Sequence, residues 1–137
     1  MHAAASRATA AYQTTQVQSR TPLEQVVLLY DAAIGGLTRA RAAIDAHDLR
    51  ERHRGISQAL AVLNHLQSTL NLEGGGELAN TLDALYSYVR ERMLDANVNQ
   101  RAEPIDEALR LLGTLREGWA EIAANPPRLH AVDRSEP

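Results

Sequence analysis

Residues 63–89 read LNHLQSTLNLEGGGELANTLDALYSYV. Leu63, Leu66 and Leu70 close one apolar series at helical spacing, and Leu78, Leu82, Leu85 and Val89 open another. Between them Gly74, Gly75 and Gly76 permit the left-handed backbone of a helix C-terminus and a sharp reversal. Two helices joined by so short a connection run antiparallel.

Outward from this hairpin the pattern repeats. Upstream, Leu49, Ile56 and Ala59 extend the second helix, and Asp48 is placed to cap it. Downstream, Met93 and Ala96 continue the third, with Asn97 expected to end it because Asn tolerates the left-handed cap position. A fourth helix begins near Pro104, carries Ile105, Ala108, Leu112, Leu115, Trp119 and Ile122, and breaks at Asn125-Pro126-Pro127. The first opens on a capping box, Thr21 with Glu24, and Pro22 suits its first turn. The expected fold is all-α, an antiparallel up-down-up-down four-helix bundle over residues 21–125. Its helices are expected at about 22–46, 49–72, 77–98 and 104–124. Residues 1–20 read as a mobile N-terminal segment and 126–137 as a disordered tail.

Composition limits the chemistry. A chain of 137 residues, 45% hydrophobic but only 4% aromatic, suffices for one domain with an aliphatic, alanine-rich core. A formal charge of -3 offers no general attraction to nucleic acid or anionic membrane. Without cysteine there is no disulfide or thiolate chemistry, which fits a reducing compartment. No apolar run reaches membrane-spanning length, and MHAAASRATAAYQ lacks the apolar core of a signal peptide. The chain reads as a soluble cytoplasmic protein.

No catalytic or metal site is expected. The di-iron bundles need Glu three residues before His, whereas Ile44, Arg50 and Val62 precede His47, His53 and His65. No Ser lies in a nucleophile-elbow context, and the glycine turn lacks the Lys and the strand of a phosphate loop. No cofactor is implied. Arg50, Arg52, His53 and Arg54 could meet phosphate or an acidic partner, against the plainer reading of a solvated first turn.

The first helix carries a surplus. Leu23, Val27, Tyr30, Ile34, Leu37 and Ile44 are expected on one buried stripe. Leu28 then points nearly the other way, among Ala32, Gly35 and Gly36, with Leu29 on a flank. An outward Leu beside small residues is a place where another helix could dock. Glycines 35 and 36 cost a helix about 1 kcal/mol each relative to Ala, which close approach by a neighbouring helix would compensate.

Three stretches carry a resemblance: YQTTQVQSRTPLEQVVLLYD, HLQSTLNLEGGGELANTLDALYSYVRERMLDAN and LLGTLREGW, spanning Tyr12 to Trp119. Leu29-Tyr30-Asp31, Leu70 with Gly75-Gly76, Leu82, Leu85-Tyr86, Ala96-Asn97 and Trp119 fall in order and at the spacing of the flagellar secretion chaperone family FliS, which the chain resembles. The resemblance implies a cytoplasmic chaperone, not an enzyme. It would hold the disordered C-terminal region of flagellin as helices along hydrophobic grooves, prevent premature polymerisation and deliver it for flagellar type III export, with a component of the export gate as a possible second partner. It also implies partner contacts at Tyr12, Val17, Gln25, Leu28, Leu29, Tyr30, Ala32 and Tyr86, with Tyr12 and Val17 on a short lid helix that covers the apolar surface until flagellin displaces it.

Two positions depart from the family pattern. Gln25 stands where a Leu is usual, and Ala32 where a Gly is usual. Gln25 falls between Leu28 and Leu29 on the wheel, so it would weaken the apolar track or alter its specificity. The alternative for the same surface is a self-assembling structural or adaptor bundle, a homodimer without a flagellin client.

Overall fold

The computed structural model describes residues 20–126, and the regular elements within them are four helices. Helix α1 spans Pro22–Asp45, α2 Leu49–Ser68, α3 Gly76–Asn99 and α4 Glu103–Ala124. Each packs on its neighbour in the chain, and α4 returns to α1, closing an antiparallel four-helix bundle around one core. Tyr12 and Val17, and with them the lid, lie outside the described residues.

Local chemistry sets the helix ends. Thr21 Oγ1 accepts the Glu24 N–H at 3.2 Å and donates to Glu24 Oε1 at 3.1 Å, so the Glu reaches the cap hydroxyl. α1 closes with His47 in a left-handed conformation, φ 53. There the Asp48 N–H donates to the Ala43 carbonyl at 2.9 Å and the His47 N–H to the Ile44 carbonyl at 3.2 Å. Asp48 then opens α2 by accepting the Glu51 N–H at 3.1 Å.

Two helix ends differ from the expected ones. α2 stops at Ser68, short of residue 72. Ser68 Oγ donates to the His65 carbonyl and Thr69 Oγ1 to the Leu66 carbonyl, so hydroxyls take up carbonyls of the last turn. The left-handed glycine is Gly76, φ 64, at the start of α3 and not at the end of α2. Gly75 is needed for space, because a Cβ there would fall 2.6 Å from that of Ala79. Gly74 donates its N–H to Asn71 Oδ1 at 2.9 Å. α3 runs past Asn97, which sits within its last turn; the left-handed cap is Gln100, φ 54 and ψ 44.

The core is aliphatic, as composition requires. Leu37, Ile56, Leu63, Val89, Met93, Ile105 and Leu112 are fully buried with Ala33, Ala40, Ala59, Ala96 and Ala108. On α1 the buried stripe is rotated from the expected one. Tyr30 and Leu37 lie on it, Ile34 and Ile44 pack at its edge, and Leu23 and Val27 leave it. Its centre falls on Ala33, Gly36 and Ala40 because α2 approaches so closely that only small residues fit. A Cβ on Gly36 would lie 2.6 Å from the Gly55 carbonyl oxygen and 3.3 Å from the Ala59 nitrogen. Close approach thus accounts for Gly36. It does not account for Gly35, which has open space around it.

Candidate partner-binding surface

Interhelical polar contacts close the upper parts of the two seams beside α4 and leave the lower parts apolar. Between α1 and α4, Arg41 Nε meets Asp106 Oδ1 at 2.9 Å and Arg116 Nε meets Asp31 Oδ1 at 2.8 Å. Between α3 and α4, the Tyr88 hydroxyl donates to both oxygens of Glu107 at 2.8 and 2.9 Å, and Arg92 Nε donates to Glu107 Oε1 at 2.7 Å. The carboxylate raises the Tyr88 phenol above its ordinary pKa by holding its proton. Beyond these clasps, toward the C-terminus of α4, polar side chains give way.

Two grooves open there, one on each side of α4. Val27 and Leu28 face Ala120, Ala123 and Ala124 across a groove of about 400 Å³, with Arg20, Glu24 and the Asp31–Arg116 pair on its walls. Leu78 and Leu82 face Leu115, Gly118, Trp119 and Ile122 across a second, of about 220 Å³, with Thr114 on its wall. Leu78 is 62% exposed and Ile122 38%. Large apolar side chains thus stand open to solvent on neighbouring helices.

Trp119 links this surface to the core. It lines the second groove and packs against the buried cluster. Its indole nitrogen is buried without a hydrogen-bond partner among the described residues, and the Tyr30 hydroxyl belongs to the same buried cluster. That hydroxyl lies 2.7 Å from the hydroxyl of Tyr86, with the rings tilted at 56°. Burial raises both phenols above their ordinary pKa, and the shared hydrogen bond raises Tyr86 further while lowering Tyr30 in part.

The residues expected to contact a partner are therefore dispersed. Leu28 lines the α1–α4 groove. Leu29 turns the other way and packs on the core. Ala32 faces α2, its carbonyl accepting from Gln58 Nε2 at 2.8 Å. Gln25 is partly buried and donates through Nε2 to the Arg20 carbonyl at 3.1 Å. Tyr30 and Tyr86 are fully buried or nearly so, at 0% and 2% exposure, because each satisfies the other's hydroxyl. Leu78, Leu115, Gly118 and Ile122 were not expected in a surface site. The regular spacing of Leu78, Leu115 and Ile122 made them read as core, and no signal in the sequence marked where the cover over α3 and α4 ends.

The model of the flagellar protein FliS family matches residues 4–126. The chain belongs to the FliS family. Among its relatives, the flagellar secretion chaperone FliS of Salmonella typhimurium is 34% identical over 108 residues, 78% of this chain and 80% of that protein. FliSB of Pseudomonas aeruginosa, also named a flagellar secretion chaperone, is 32% identical over 79% of this chain and 86% of its own length. The Bacillus subtilis FliS is 26% identical over 81% and 82%. The FliS match extends well beyond the grooves, through all four helices.

Proposed function

We propose that this chain is a flagellin export chaperone acting in the cytoplasm. In this reading it holds the disordered C-terminal region of flagellin as amphipathic helices laid in the two grooves beside α4. The observation that carries it is the pair of apolar grooves flanking one helix, on a chain whose relatives are named flagellar secretion chaperones. Helix-in-groove recognition needs an exposed apolar track bounded by polar side chains, and each groove ends at an ion-paired clasp. A disordered client loses entropy on folding, which two grooves offset better than one. Binding shields the client's assembly surface, and handover at the export gate releases it. No helix among the described residues is long and apolar enough to cross a membrane.

The experiment mixes the full chain with a peptide matching the C-terminal segment of the host's flagellin and follows binding and molar mass together. A one-to-one complex is expected, lost in Leu28→Asp while the helical signal persists. A concentration-dependent homodimer indifferent to the peptide would sink the reading. Unfolding of Leu28→Asp would move Leu28 into the core.

A further inference from the structure

The opposite end of the bundle has a different pocket. There the C-terminus of α1 meets the start of α2 and the end of α3, enclosing about 290 Å³ among Ala43, Ile44, His47, Leu49, Arg52 and Gln100, with Asp48 on the rim. The left-handed caps at His47 and Gln100 turn the chain aside and leave the gap. Leu49, expected in the core, is 60% exposed beside it. We propose that this pocket docks a second protein partner through a segment carrying a carboxylate beside an apolar side chain.

Charge decides the occupant. Three arginines stand in the first turns of α2 against two acids. Asp48 is used as the helix cap, and Glu51 pairs with Arg54 at 3.4 Å. Arg50 and Arg52 make no ion pair among the described residues. Arg52 is partly buried, and its Nε–H is shielded from solvent without an acceptor. Arg52 also lines the pocket, and a guanidinium there without an ion pair gains from an incoming carboxylate through a charge-assisted contact. Leu49 and Ile44 supply the apolar floor that a bare ion would not use. This site lies away from the α4 grooves, so it could be filled while a client is held.

Calorimetry of the full chain tests this with a short leucine–glutamate alternating peptide, its leucine–lysine counterpart serving as control. The glutamate peptide is expected to bind, weakening as salt is raised. Arg50→Gln combined with Arg52→Gln should weaken it about tenfold or more, Leu49→Ser should weaken it, and Leu28→Asp should not. Equal binding of both peptides overturns the proposal, as does indifference to the arginine substitutions. Indifference to Leu49→Ser overturns it too, leaving only a simple anion site. If Arg52→Gln loses its helical signal, Arg52→Lys carries the test, since it keeps the charge and should still weaken binding by losing the planar fork that suits a carboxylate. Flagellin is absent throughout, so the outcome is independent of the export reading.

Discussion

The hydroxyls of Tyr30 and Tyr86 meet at 2.7 Å across the diagonal of the bundle, joining α1 to α3. These helices are not sequential neighbours, so the bond spans the core itself. Either Tyr→Phe substitution alone strands the other hydroxyl in an apolar interior, at about 1–3 kcal/mol. Replacing both removes the stranded group. Urea denaturation should therefore show the double variant less destabilised than the sum of the two singles.

The same pair predicts behaviour at high pH. Burial raises both phenols above the ordinary value of 10.0, which they recover in the unfolded chain. The unfolded state therefore loses its protons first as pH rises. The pair's contribution is intact below about pH 10 and is lost above it, as pH climbs through the raised folded values. Tyrosinate absorbance from Tyr30 and Tyr86 should appear only together with loss of helical signal. The doubly Phe-substituted protein should lose stability less steeply in that range.

Adjacent glycines on α1 should respond with opposite sign. Gly35→Ala meets nothing within 4 Å and should stabilise the helix by about 0.5–1 kcal/mol. Gly36→Ala drives a methyl into the backbone of α2 and should destabilise the fold by about 1–3 kcal/mol or more. Thermal melts of the two single variants suffice to check this.

Gly118 offers a way to close one groove without touching the core. A Cβ there has no neighbour within 4 Å, and the position lines the α3–α4 groove. Gly118→Leu should raise helix stability while filling the space between Leu78 and Trp119. Titration with the flagellin peptide should show binding lost or sharply weakened, with melting unchanged or higher. Full binding by this variant would leave the α1–α4 groove as the only track.

Helix number, order and polarity were legible because capping box, glycine turn and proline breaks are local chemistry. The rotation of the buried stripe on α1 was not. A wheel weights large side chains, whereas the α1–α2 contact is made by Ala33, Gly36 and Ala40, and its closeness depends on Gly55 in another helix. The same rotation separates Leu28 from Leu29, which sequence alone put on one track. Tyr30 and Tyr86 were expected to touch a partner, and the pairing that buries them joins residues far apart in the chain. Leu78 and Ile122 read as core because their stripes are regular, and only the packed bundle shows where cover ends.

The main-chain meeting of Gly36 and Gly55 has a consequence for how such a protein can change over generations. Because backbone touches backbone, no rotamer shift relieves a methyl added at either position, and neither glycine can shrink to rescue the other. The two sites form a single locked coordinate. Exposed residues beside the grooves and the arginine pocket, such as Leu78, Ile122 and Leu49, face no comparable restriction, so recognition can drift while the spine they are mounted on stands still.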